Sequence, residues 1–265
     1  HIDISKPEAI NKVKEIFDDY TKGSNPTFDS QTTVHIGADE FLANYTSYRN
    51  FINELVPYIK ESNTVRMWGG LTWIDDGKTV INKEAIENVE MNLWSSGWAD
   101  GIQMYDMGYK LINTIDDFGY MVPNGNKTRS NSYGDLLNVN RIFNEFEANR
   151  IGTRSGYKYI PSGDNQVLGA AFAIWNDNID KRASGLTESD LYWRFFDAMP
   201  FYAEKTWATT GKEKGTSQVL STLASEKGIG PRINPYYQES KVGSVYQSYD
   251  FENGLQDTSP NDRDL

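Results

Sequence analysis

Two carboxylates stand side by side at Asp39 and Glu40, closing the run Thr33-Val34-His35-Ile36-Gly37-Ala38-Asp39-Glu40. Close carboxylates raise one another's pKa, so the one in the drier setting can deliver a proton near neutral pH while its partner stays ionised. Residues 33–39 alternate: Val34, Ile36 and Ala38 fall on one face, His35, Gly37 and Asp39 on the other, as in a strand covered on one side. Because consecutive strand residues face opposite ways, Asp39 and Glu40 can meet one ligand only if Glu40 lies just past the strand end. The same dipeptide would serve equally as an N-cap for the helix that follows.

Aromatic residues recur at the later strand ends. Trp68, Trp94 and Trp175 each close a predicted strand, and Tyr120 follows the fourth. Rings repeated at one end of successive strands would line a single pocket, and rings with a polar tip stack well on the C–H faces of sugars. The chain has 7 Trp and 16 Tyr, more than core packing requires; Trp73, Trp98, Trp193 and Trp207 are read as core, loop or outer-rim residues.

Other chemistries find little support. The chain has no cysteine, hence no disulfide, thiolate nucleophile or zinc–thiolate site. Its two histidines are His1 and His35, and His35 sits below the strand end, where a buried, hydrogen-bonded role is expected. No Gly-x-Gly-x-x-Gly or Walker loop is present, and Asn176-Asp177-Asn178-Ile179-Asp180 lacks the glycine and terminal glutamate of a calcium hand. Neither a metal nor a cofactor is expected. A formal charge of −11 repels nucleic acid and anionic lipid headgroups, and no apolar run approaches the roughly 20 residues of a membrane span, so neither partner is expected.

The elements that must position these groups follow from periodicity. Ser5-Lys6-Pro7-Glu8 has the form of a capping box opening a helix over 6–22, and a second helix runs from Tyr45 to Ile59. Strands are predicted at 33–39, 65–69, 89–94, 109–113 and 167–175, with helical stretches near 83–88, 99–107 and 136–150, and a last helix capped by Thr187-Glu188-Ser189-Asp190 and bent at Pro200. Alternating strands and helices predict an α/β fold of the (β/α)8 TIM-barrel type, with chemistry on the C-terminal rim. Five βα units are visible. Either further strands are hidden in the sequence, or three N-terminal units precede it.

Residues 1–207 form the expected barrel portion, 208–243 a Gly/Lys/Ser-rich linker, and 244–265 the start of a β-sandwich. The segment Tyr249-Asp250-Phe251-Glu252-Asn253-Gly254-Leu255 is similar to the opening strand of laminin-G or concanavalin-like, lectin-like modules.

The run His35-Ile36-Gly37-Ala38-Asp39-Glu40 closely resembles the His-x-Gly-Gly-Asp-Glu signature of glycoside hydrolase family 20, the β-N-acetylhexosaminidases, and the likeness extends over residues 1–207. The resemblance implies substrate-assisted retaining catalysis: the substrate's 2-acetamido oxygen attacks C1 to give an oxazolinium, Glu40 is the acid/base, and Asp39 accepts the acetamido N–H. It further implies that Trp68, Trp94 and Trp175 wall the −1 sugar, Tyr120 bonds the acetamido oxygen, and Asp177 binds sugar hydroxyls. Ala38 stands where the family has glycine, and Tyr120-Met121-Val122 lacks the acid of the usual Tyr-x-Asp. The implied partner is a glycan containing N-acetylglucosamine or N-acetylgalactosamine, met by a secreted or cell-surface bacterial protein that needs the barrel's N-terminal strands. Release of a disaccharide, as by a lacto-N-biosidase, and a non-catalytic glycan-binding module are the alternatives.

Overall fold

The computed structural model describes residues 2–41, 44–70, 80–124, 129–130, 133–178, 186–207 and 214–227. Helix α1 (Pro7–Thr21) starts on proline, whose fixed φ suits a first helical position. The expected capping box does not form, because the Ser5 hydroxyl donates to Asp3 Oδ1 at 2.6 Å instead. Strand β1 (Thr33–His35) leads to α2 (Tyr45–Lys60), and β2 (Thr64–Trp68) to a 3-10 turn at Lys83–Ala85. Next come β3 (Glu90–Leu93), α3 (Gly101–Met107), β4 (Lys110–Asn113), α4 (Asp116–Gly119) and β5 (Tyr120–Met121). Two short strands, β6 (Arg129–Ser130) and β7 (Leu136–Leu137), precede α5 (Val139–Glu145). The chain continues through β8 (Arg150–Thr153), β9 (Gly156–Tyr159), β10 (Val167–Ala170), β11 (Ala173–Ile174), α6 (Glu188–Trp207) and α7 (Lys214–Lys227).

The fold is α/β, built on a parallel sheet in the order β1-β2-β3-β4-β10. Parallel strands bring all their C-terminal ends to one side, which is what gathers Asp39, Trp68 and Trp94. Val34, Val65, Met67, Met91 and Leu111 turn toward the helices, packing with Ile52, Leu55, Val56 and Ile59 of α2 and Met104 of α3. A second core joins Phe118 of α4, Met121 of β5, Ile142 and Phe143 of α5, and Phe201 and Tyr202 of α6. Within it, Arg194 of α6 donates to both carboxylate oxygens of Asp135 at 3.0 Å and 2.9 Å, with both side chains almost fully buried.

Several boundaries differ from expectation. The predicted strand 167–175 divides: β10 pairs with β4, whereas β11 pairs with β5 in a separate two-stranded sheet. Its apolar composition disguised the break. Residues 136–150 are helical only over α5, because Leu136–Leu137 pair with β6 and Arg150 opens the β8–β9 hairpin. Helix α6 does open on the expected cap, with Thr187 Oγ1 accepting from Asp190 N at 3.1 Å and Asp190 Oδ2 from Thr187 N at 3.0 Å. It continues through Pro200 to Trp207. Within the stretch expected as linker, α7 is helical and buries Leu220 in the second core. Trp73 and the sandwich-like stretch 244–265 lie outside the described residues.

Candidate functional site

Strand geometry ends at His35, four residues short of Asp39. Pairing with β2 nonetheless continues, since Ile36 N donates to Arg66 O at 2.9 Å and Trp68 N to Gly37 O at 2.8 Å. The backbone then turns. Gly37 and Ala38 both have φ of 74°, and Glu40 has 46°. Ala38 therefore does not sit in a strand, as the alternation suggested; it occupies a left-handed position that favours glycine, at a cost of about 1–2 kcal/mol. The turn carries both carboxylates past the strand end, which resolves the difficulty of their opposite faces.

Three contacts hold it. The Tyr48 hydroxyl, buried on α2, donates to the Ala38 carbonyl. His35 Nδ1 accepts from Gly37 N at 3.0 Å, which places the neutral ring's proton on Nε2. Gly70 lets the end of β2 approach, because a Cβ there would stand 3.1 Å from the Ala38 carbonyl oxygen and 3.0 Å from the Tyr48 oxygen. Neither carboxylate caps α2; that role belongs to Asn44, whose side chain accepts from Ser47 N at 2.9 Å. His35 is hydrogen-bonded as expected but exposed rather than buried, its ring 5.2 Å from that of Trp68. Partial desolvation, then the nearby Arg66 charge, push its pKa below the ordinary 6.5.

Asp39 and Glu40, both exposed, line a cavity of about 380 Å³ together with Trp68, Trp94, Tyr120, Trp175 and Asp177. The structure thus brings every sequence-predicted site residue to one place. The rings touch in series. Tyr120 lies parallel to Trp94 within 8° at 6.2 Å, meets Trp175 edge-on at 5.3 Å, and Trp175 in turn lies 6.1 Å from Trp68. Trp94 is fixed by its indole N–H, which donates to the Gly69 carbonyl at 3.0 Å. Trp98 stacks behind Trp94 at 6.2 Å, whereas Trp193 and Trp207 are exposed elsewhere. Burial pushes the Tyr120 phenol well above its ordinary range, so it stays protonated as a donor.

Three lining residues escaped the sequence reading: Val122, Tyr133 and Asn178. Val122 donates its N–H to the Gly134 carbonyl at 2.8 Å and presents an apolar side chain where an acid was looked for. Tyr133 lies in a Gly/Asn/Ser-rich stretch without periodicity, and no sequence signal marks it. Among the described residues, no cluster of three or more His, Asp or Glu is placed to hold a metal ion. A larger cavity of about 600 Å³ lies at the other ends of the strands, between Lys83, Glu87, Lys110 and Gln166, away from both carboxylates.

No protein-family model matches this chain. A lacto-N-biosidase of Bifidobacterium bifidum is 23% identical over 234 residues, covering 78% of this chain and 19% of that enzyme. A solved structure of the tandem family 20 catalytic modules of a pneumococcal exo-β-D-N-acetylglucosaminidase superposes with a TM-score of 0.51 at 19% identity, covering 84% of this chain and 49% of that one. At that identity, the family 20 likeness speaks for the α/β fold with its parallel sheet and helices. The chain spans 19% of that lacto-N-biosidase and 49% of the solved chain, less than half of either. Among the described residues, no helix is long and apolar enough to cross a membrane.

Proposed function

We propose that this chain carries the acid/base half of a retaining glycosidase that removes terminal β-linked N-acetylhexosamine from glycans by substrate-assisted catalysis. The observation that carries this reading is the pocket in which Asp39 and Glu40 face an aromatic wall of Trp68, Trp94, Tyr120 and Trp175. In the first step the substrate's acetamido oxygen attacks C1, the glycosidic C1–O bond breaks, and Glu40 gives its proton to the departing oxygen. Asp39 accepts the acetamido N–H and stabilises the positive charge that develops on it. In the second step water attacks C1 and Glu40 takes its proton, restoring the acetamide and the acid. Tyr120 bonds the acetamido oxygen, the tryptophans hold the ring, and Asp177 accepts from sugar hydroxyls. No nucleophile from the protein is needed, so one carboxylate can orient while the other moves the proton.

The sheet is read as the C-terminal portion of a (β/α)8 barrel within residues 1–207. Its outer edges at β1 and β10, unpaired among the described residues, are where N-terminal strands would join. Residues 244–265 are read as the start of a lectin-like sandwich, and the protein as secreted or displayed on a bacterial surface. A second reading, release of a disaccharide, is favoured by the lacto-N-biosidase relative and by Val122, an apolar lining residue that leaves one wall without a hydroxyl acceptor.

Hydrolysis of a chromogenic N-acetylglucosaminide and of a lacto-N-bioside by the full-length protein decides between these readings. Glu40→Gln should lower kcat by at least about 100-fold, the scale of a lost general acid. Azide should partly rescue Glu40→Ala on a substrate with a good leaving group, since azide needs no general base. Binding without turnover in the wild type would identify a glycan-binding module instead.

A further inference from the structure

Tyr133 combines three observations that the proposed chemistry leaves unused. It lines the carboxylate pocket yet is half exposed, at 50%. Its backbone is left-handed, with φ of 57°, a conformation that costs a bulky residue about 1–2 kcal/mol and persists where the surroundings enforce it. Its ring is fixed at both ends: it stands at 90° to Tyr120 at 5.8 Å, and its hydroxyl donates to Asp116 Oδ2 at 2.9 Å. Asp116 is itself held at the start of α4, where Oδ1 accepts from Asp117 N at 2.9 Å. A tyrosine whose phenol is tied back to a carboxylate offers its ring rather than its hydroxyl to a ligand.

Its place in the pocket indicates which part of a ligand it meets. Trp94 and Tyr120, 8% and 5% exposed, close the inner part of the pocket, whereas Tyr133 lines its open side. Tyr133 therefore stands at the mouth of the pocket. In the proposed reaction the terminal sugar fills the closed end of the pocket, and the leaving-group sugar extends from its mouth. We propose that Tyr133 is the platform for the leaving-group sugar, a specificity-determining residue that selects glycans over simple glycosides; this rests on the glycosidase reading above. Tyr133 stacks on the C–H face of the sugar being released, and Asp116 positions the ring for it.

The test compares, for the full-length protein, kcat/KM on a β-linked N-acetylglucosaminyl-galactose with that on N-acetyl-β-D-glucosaminyl fluoride, which has no leaving-group sugar. Tyr133→Ala should lower the disaccharide-to-fluoride ratio about tenfold, the scale of one stacking contact, and Tyr133→Phe, which keeps the ring, less than about threefold. An unchanged ratio in Tyr133→Ala, or equal losses on both substrates, overturns the inference. If the wild type cleaves neither, the glycosidase reading fails and binding decides alone, read by quenching of the pocket tryptophans in Glu40→Gln. A disaccharide advantage over N-acetylglucosamine that Tyr133→Ala abolishes supports the platform; no advantage, or one that survives, overturns it.

Discussion

The hydroxyl of Tyr48 donates to the carbonyl of Ala38, the residue immediately before Asp39, and so ties the buried face of α2 to the turn that presents both carboxylates. Tyr48 is 2% exposed, and burial raises its phenol far above the ordinary range, so it remains a donor at any working pH. Tyr48→Phe should cost about 1–3 kcal/mol in urea unfolding, the penalty of a buried carbonyl left without a donor. It should also raise KM on an N-acetylhexosaminide, because Asp39 loses its fixed position. Unaltered stability would show that the Ala38 carbonyl is satisfied some other way.

Ala38 itself offers a gain. With φ of 74°, its Cβ is strained where glycine's hydrogen is not. Ala38→Gly should stabilise by roughly 0.5–1 kcal/mol, the left-handed strain less the extra entropy of glycine in the unfolded chain. Ala38→Val should destabilise by more than that. Paired thermal melts check both signs.

His35 makes stability depend on pH in one direction. Its folded pKa lies below the ordinary 6.5, so the native state binds the proton less readily than the unfolded chain. The stabilisation is present above about pH 6.5 and is lost as pH falls through the depressed folded value. Protonation converts Nδ1 from acceptor to donor, which breaks the bond from Gly37 N. His35→Gln, which can accept from that N–H at any pH, should therefore melt like the wild type at neutral pH and lose less stability than the wild type at acid pH. A constant difference between the two from pH 7.5 to 5 would remove His35 from this role.

The Asp135–Arg194 pair should behave as a buried ion pair broken on one side. Asp135→Asn removes the nearer carboxylate from the buried Arg194 guanidinium, leaving it only Asp190 Oδ1 at 4.0 Å, and should cost about 3 kcal/mol. Asp135 Oδ1 also accepts from Asn124 N at 2.8 Å, close to Val122 of the pocket, so losses of substrate affinity should accompany the loss of stability. Chemical denaturation with parallel KM measurement checks both.

Much of the site was legible because the residues that make it sit at the ends of periodic elements. Alternation over 33–39 and the apolar strands 65–69, 89–94 and 109–113 located β1 to β4 closely, and the tryptophans at their ends followed from that register. Short-range signals of this kind depend only on which side chains share a face, and periodicity reports that directly. Composition likewise fixed the absence of cysteine and the negative charge.

Only the tertiary structure could decide the rest. That β1 stops at His35, that Ala38 and Glu40 turn left-handed, and that Asn44 rather than Asp39 or Glu40 caps α2 all depend on Tyr48 and β2 packing against the turn from 10 or more residues away. Val167–Trp175 reads as one apolar run, yet its two halves choose different neighbours, β4 and β5, a choice set by chain-distant hydrogen bonds. Tyr133 enters the pocket from a stretch with no periodic pattern, held by Tyr120 and by Asp116 17 residues earlier. The sequence determined which groups could act and which strands carry them; long-range packing decided where β1 ends, how Asp39 and Glu40 are turned toward one cavity, and what else faces them there.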